Sequence, residues 1–153
     1  MPTEPDLFYL YQPTEPRKAG LPISFVPVSE FLQDEPACKI LWDLVSTQFR
    51  TRSKFLAIWS GVRYVAIHRD SEGSLDGFLL INTPVNWQID YVVVRPDARG
   101  QGIAAALVEE TLNQAFHHRV PSVTLMSKPG LRSLYESCGF TVVGSSDDCR
   151  IEV

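Results

Sequence analysis

The stretch RPDARGQGIAAALVEE, from Arg95 to Glu110, constrains the fold of this chain more than any other. A β-rich run, NWQIDYVVVRP, closes at Pro96, a residue with no N–H for a sheet ladder. Gly100 and Gly102 then turn the chain. Beyond them Ile103, Leu107, Val108, Thr111, Leu112, Ala115 and Phe116 recur at helical spacing, which predicts a helix. The start of a helix carries unpaired N–H groups and partial positive charge, and therefore takes anions. Two glycines let a ligand approach the backbone because no Cβ intervenes. Ala104, Ala105 and Ala106 keep the first turn slim, and Arg99 adds a cationic fork suited to phosphate. The stretch reads as a pyrophosphate cradle. The competing reading is a tight strand-to-helix turn that uses glycine for geometry alone, since short glycine motifs recur without ligands.

A chain of 153 residues suits one core. Residues 1–20 contain Pro2, Pro5, Pro13 and Pro16, which predicts an N-terminal arm or tail rather than a regular element. Phe8, Tyr9 and Tyr11 give that arm a reason to lie on the body of the domain, which takes residues 21–153. Ile23–Val28 reads as a short strand and Ser29 to about Thr51 as a helix, with Pro36 in a first turn and Ala37, Ile40, Leu41, Leu44 and Val45 on one face. RTRSKFLAIWSG is a connection or short helix. VRYVAIHRD and LDGFLLINTP are strands joined by the hairpin signal DSEGS. After the cradle helix come a strand, SVTLMSK, and a short helix, LRSLYESCG, stopped by Gly139. Phe140–Gly144 and Cys149–Val153 are expected to form a closing strand pair. The order is mixed α/β, with antiparallel hairpins early and helix crossovers later.

Composition excludes some functions. A formal net charge of -4 argues against a surface built for nucleic-acid phosphates. No apolar run approaches the roughly 18 residues of a membrane span, and the N-terminus lacks the basic start and unbroken apolar core of a signal peptide. The expectation is a cytoplasmic protein with no nucleic-acid or membrane partner. Cys38, Cys138 and Cys149 have no metal-ligand spacing and read as reduced thiols. His117 and His118 point to different sides of a helix and, with Arg119, fit a cationic C-terminal turn. His68 falls in a predicted strand, with no catalytic role expected.

Gly100-Gln101-Gly102-Ile103-Ala104-Ala105 fits the dinucleotide form G-x-G-x-x-A. However, the ribose-binding acid expected about 20 residues later is missing, and too little chain remains for a second Rossmann half. A P-loop is excluded because Gly-Lys-Ser/Thr does not occur. The stretch instead resembles the acyl-CoA-binding motif of the GNAT superfamily of N-acetyltransferases. That motif is Arg/Gln-x-x-Gly-x-Gly/Ala after a strand ending in Val-x-Pro. Here Val94-Arg95-Pro96 precedes Arg99-Gly100-Gln101-Gly102-Ile103-Ala104. A second signature, Leu-Tyr-x-x-x-Gly-Phe, appears as Leu134 through Phe140.

The resemblance implies a mixed, mostly antiparallel sheet of six or seven strands flanked by helices, with a splayed strand pair holding acyl-CoA. It implies direct transfer of an acetyl group from acetyl-CoA to a primary amine in a ternary complex, with no metal. N–H groups from Arg99 to Ala104 would hold the pyrophosphate, and Val93 and Val94 would run beside the pantetheine. The backbone N–H of Val92, freed by a bulge, would serve the oxyanion. Tyr135 would protonate the leaving sulfur, the alternative being a half-buried tyrosine with an ordinary hydrogen bond.

The base is less direct. Gln88 stands where some relatives carry Glu, and an amide takes no proton at neutral pH. Asp90, two residues on and so on the same face, could act directly or through water, or be structural while solvent takes the proton. Lys128 replaces an Asn common in relatives. Lys128 or Arg132 would meet a CoA phosphate, or be solvated surface charge. The acceptor site would draw on residues 29–60, where Arg50, Arg52 and Lys54 could attract a carboxylate or phosphate, or simply form a solvated basic turn. Trp59 and Trp87 would wall a pocket or fill the core. A small amine, an amino-acid derivative and a protein amine all remain open, as does a homodimer. The rival function is a non-catalytic acyl-CoA-binding or interaction module.

Overall fold

The computed structural model describes residues 4–48, 52–83 and 86–146, with only the backbone of residues 48 and 52–54. Seven strands form one sheet: β1 (Leu7–Tyr11), β2 (Ser24–Pro27), β3 (Val62–Arg69), β4 (Leu75–Asn82), β5 (Trp87–Val94), β6 (Val123–Ser127) and β7 (Thr141–Ser145). Their order across the sheet is β2-β3-β4-β5-β6-β1-β7. β5 and β6 are parallel and the other neighbours antiparallel. The helices are α1 (Val28–Phe31), α2 (Glu35–Gln48), α3 (Arg52–Trp59), α4 (Ile103–His117) and α5 (Arg132–Ser137). The architecture is the mixed, mostly antiparallel α/β sheet that the resemblance implied. Among the described residues no helix is long and apolar enough to cross a membrane.

β4 sits in the middle and is buried from Leu75 to Ile81, so apart from Asp76, which His68 pairs, it reads as an apolar run rather than an alternating one. Its side chains divide by parity, as a pleated strand requires. Leu79 and Ile81 join the cluster under α4, with Leu107, Val108 and Leu112. Phe78 and Leu80 join the cluster on the other face, with Leu41, Leu44 and Phe55 of α2 and α3. At Gly77 an added Cβ would lie 2.7 Å from Ile103 Cγ2. The first turn of α4 therefore rests directly on β4, where no side chain intervenes.

Two expectations are corrected. The single helix expected from Ser29 to Thr51 is broken between α1 and α2. Pro36 has no N–H, and its ring clashes with the carbonyl four residues back, so a helix cannot run through from α1. Asp34 instead accepts a hydrogen bond from the Ala37 N–H at 3.2 Å and starts α2 afresh. The N-terminal arm is also not free of regular structure. Leu7–Tyr11 lies between β6 and β7, with Tyr9 opposite Leu125 on one side and Val142 on the other. Pro5 and Pro13 bracket this segment without entering it, so its ladder N–H groups are intact. β7 thus pairs with β1, and the closing partner expected at Cys149–Val153 lies outside the described residues.

The chain after β1 is strapped onto α4 and α5 by Arg17. Its guanidinium donates to both oxygens of Glu109 at 2.7 Å, to the Cys138 carbonyl at 2.7 Å and to the Tyr11 hydroxyl at 3.1 Å. The pair is largely buried, at 17% and 20% side-chain exposure, so solvent screens it little. Arg17→Met removes a bidentate pair and leaves Glu109 without its cation. Chemical denaturation should show a loss of about 2 kcal/mol, and a change within about 0.5 kcal/mol would make the strap unimportant.

Candidate functional site

β5 and β6 pair only at Trp87–Val123, Gln88–Thr124 and Ile89–Leu125. Beyond that point β5 stays with β4 as far as the Gly77–Val94 pair, and β6 stays with β1 as far as Leu7–Ser127. The expected divergence of the two strands is therefore present. A bulge lies where they part: Ile81 faces Ile89 but Leu80 faces Tyr91, so Asp90 is the extra residue. A bulge bends its strand and increases its twist, which turns β5 away from β6.

A cleft of about 470 Å³ opens in the gap. Val92, Val93 and Val94 form one wall, the turn from Ala98 to Ala105 the floor, and Leu131, Leu134 and Tyr135 the far side. Gly100 and Gly102 have φ of 81° and 79°, a region costly for residues with a Cβ. Nothing lies within 4 Å of where a Cβ would project at either position. Backbone thus meets open space at the start of α4. That geometry fits a pyrophosphate on helix N–H groups.

The turn is braced from behind. The Arg95 N–H donates to the Asp76 carbonyl at 2.7 Å, and its guanidinium binds Asp97 at 2.5 Å and Asp70 at 3.2 Å. Arg99 Nε donates to the Val94 carbonyl at 3.2 Å. These two bonds define the strand's alternation. Arg95 points its backbone groups at β4 and Val94 points away, so Val92 shares the side of Val94, toward the gap.

A second cleft, of about 400 Å³, lies on the other side of the parted strands. It shares Val92, Leu131 and Tyr135 with the first and adds Asp90, Gln88, Ile58 and Ser127. Tyr135 is 4% exposed. Burial pushes its phenol up to about 12, outweighing a hydrogen bond with Ser127. Asp90 Oδ1 accepts from Gln88 Nε2 at 3.1 Å, whereas Asp90 Oδ2 is buried with no partner among the described residues. Desolvation raises the Asp90 carboxyl to about 6, against a smaller lowering by Gln88.

Of the residues expected to bind CoA, Val92, Val93, Val94, Arg99, Gly100, Gly102, Ile103 and Ala104 line the first cleft. Gln101 is exposed and outside its wall. Lys128 and Arg132 are outside it too. Lys128 pairs with Asp6 at 2.8 Å and Arg132 with Glu136 at 2.9 Å. Trp87 stacks on Phe25 at 5.5 Å and fills the core, and Trp59 lines a separate apolar cavity with Phe31, Trp42 and Phe55. Arg50 and the side chains of Arg52 and Lys54 lie outside the described residues.

Sequence reasoning missed Asp6, which lines the second cleft, and Tyr9. Tyr9 is 1% exposed, its ring centroid is 5.2 Å from that of Tyr135, and its hydroxyl has no partner among the described residues. The signal available was the alternation of Leu7, Tyr9 and Tyr11 between two prolines.

The sequence profile of the acetyltransferase (GNAT) family matches residues 29–140. No curated protein matches the chain by sequence. Among solved structures, a GCN5-related N-acetyltransferase from Sphaerobacter thermophilus superposes with a TM-score of 0.72 at 21% identity, over 94% of this chain and 50% of that one. A GNAT-family protein from Novosphingobium aromaticivorans DSM 12444 gives 0.69 at 19% identity, over 93% and 61%. The NatC complex bound to Gag peptide and CoA gives 0.59 at 20% identity, over 81% and 87%. This chain therefore spans about half the length of the Sphaerobacter protein. At such identities the likeness shows the fold.

The Asp90 environment predicts a pH dependence. An unfolded aspartate titrates near about 3.9, and the folded one is raised to about 6. Between these values the folded chain holds a proton that the unfolded chain lacks. The contribution is therefore full below about pH 4 and is lost as pH rises through the folded value. Asp90→Asn should thus gain stability relative to wild type between pH 5 and pH 8, read by denaturant midpoints. A difference that is the same at both pH values would refute the raised carboxyl.

Proposed function

Because the chain belongs to the acetyltransferase (GNAT) family, we propose that it transfers the acetyl group of acetyl-CoA directly to a primary amine in a ternary complex. One observation carries this reading. Two clefts meet at Val92 and Tyr135, one floored by the glycine turn and the other lined by Asp90.

The roles follow from position. N–H groups between Arg99 and Ala104 hold the pyrophosphate, and Val92–Val94 guide the pantetheine toward Tyr135. Bound acetyl-CoA supplies the thioester carbonyl. Asp90, raised to about 6, is mostly ionised at neutral pH and takes a proton from the acceptor ammonium. The amine nitrogen then bonds to the carbonyl carbon and the carbon–sulfur bond breaks. The Val92 N–H receives the negative charge on oxygen. Tyr135, held in its protonated form by burial, gives a proton to the departing sulfur and regains one from the nitrogen, which must shed its second proton to become the neutral amide. The products are an amide and CoA thiol, and the proton on Asp90 returns to solvent. Lys128 and Arg132, outside the first cleft and each paired with a carboxylate, are given no part in these steps.

Thiol release from acetyl-CoA across a panel of amines tests the activity. Release with no amine, despite tight acetyl-CoA binding, would instead make the chain an acyl-CoA-binding module. The cradle is tested by Gly102→Asp against Gly102→Asn, two residues that both tolerate positive φ. The charge alone should weaken acetyl-CoA binding by at least about tenfold, or 1.4 kcal/mol. Equal affinities by calorimetry would remove the pyrophosphate from that turn. Tyr135→Phe keeps the ring and deletes the donor. Turnover should fall by about 10²-fold with little change in acetyl-CoA affinity, and a fall in affinity alone would make Tyr135 a binding residue.

A further inference from the structure

The second cleft has a wall that the family profile does not include. Asp6 precedes β1, outside residues 29–140. Its backbone is pinned to the start of the turn after β7: the Asp6 N–H donates to Ser146 Oγ at 3.0 Å, and the Ser146 N–H donates to the Asp6 carbonyl at 2.8 Å. From this fixed point its carboxylate meets Lys128 Nζ at 2.8 Å, and Lys128 also donates to the Glu4 carbonyl at 3.3 Å. Both side chains line the same cleft as Asp90.

The charges in that cleft sort themselves by partner. Among its described residues the ionisable groups are Asp6, Lys128, Asp90, Tyr91 and Tyr135. Burial pushes both phenols up, which keeps them neutral. Asp6 and Lys128 neutralise each other, and Asp90 lines the cleft with no cationic partner among the described residues. The remaining walls include Ile58, Leu125, Met126 and Leu131, of which Met126 and Leu131 are half exposed. A single ammonium is therefore matched at Asp90, and an uncharged body is matched everywhere else. A second ammonium finds Asp6 already taken. A carboxylate finds Lys128 already taken and meets two acidic side chains.

We propose that the Asp6–Lys128 pair is a specificity-determining element that selects a monoamine with an uncharged body as acceptor. This rests on the N-acetyltransferase reading above. The pair is a partly exposed one, with 60% exposure at Lys128, and such pairs contribute little to stability. Its effect is on discrimination, by withholding both charges from the substrate.

Three acceptors with the same four-carbon chain isolate the effect: butylamine, 4-aminobutyrate and 1,4-diaminobutane. In the wild-type protein kcat/KM should be highest for butylamine. Asp6→Ala frees the Lys128 ammonium and should raise 4-aminobutyrate relative to butylamine by about fivefold or more. Lys128→Ala frees the Asp6 carboxylate and should raise 1,4-diaminobutane in the same ratio. Asp6→Asn, which preserves side-chain volume, serves in place of Asp6→Ala if the latter does not fold. Thiol release with unchanged ratios in both variants overturns the selectivity while leaving the transfer reading intact. No thiol release with any amine in any variant, with acetyl-CoA still bound, overturns both.

Discussion

The parting of β5 from β6 after three residue pairs is the constraint on which the rest of the site depends. Had the two strands stayed paired, their ladder would fill the space that both clefts now occupy. Each strand tolerates the separation because its other edge is secured. β5 is held by β4 to its last residue, and β6 is held by β1 along its whole length. Backbone groups left facing the gap would cost about 1–3 kcal/mol each if they were buried without partners. An open cleft lets water satisfy them, and a ligand with amide groups can replace that water.

The secured edges involve distant parts of the chain. β1 supplies the second edge of β6, and Arg17 ties the segment after it to Glu109 of α4 and to the carbonyl of Cys138. The same strand carries Tyr9 against Tyr135 and brings Asp6 to Lys128. A segment outside the family-matched residues thereby helps to shape the second cleft. On the other side, Gly77 lets Ile103 rest on β4, and Arg95 locks the turn before α4 to Asp70, Asp76 and Asp97. The glycine turn is held between these two supports. Its position is therefore fixed before a ligand arrives, which lowers the ordering cost of binding.

Bulge and carboxylate are one feature. Asp90 is the residue inserted into β5, so the distortion that opens the strands also delivers a carboxylate to the gap. Its raised carboxyl follows from burial, with one oxygen unpartnered among the described residues, a condition unfavourable for the fold at neutral pH.

Much of the glycine turn was legible in the chain itself. Gly100 and Gly102, the closing Pro96 and the periodic apolar residues of α4 express backbone requirements met within a few residues. The same holds for the Leu134–Phe140 signature and for the β3–β4 hairpin, whose Asp70 carboxylate caps its own turn. Such features are local, so a local pattern suffices to read them. The break before Glu35 was equally local, and Pro36 together with Asp34 carried it. The tertiary structure alone decided where LFYLY would go, because its partners lie more than a hundred residues away in β6 and β7. It also decided that Lys128 faces Asp6 rather than the glycine turn, and that one oxygen of Asp90 would be buried without a donor among the described residues. Strand neighbours, ion-pair partners and desolvation are set by what remote segments bring within a few ångströms, and nothing in the residues flanking a side chain encodes them.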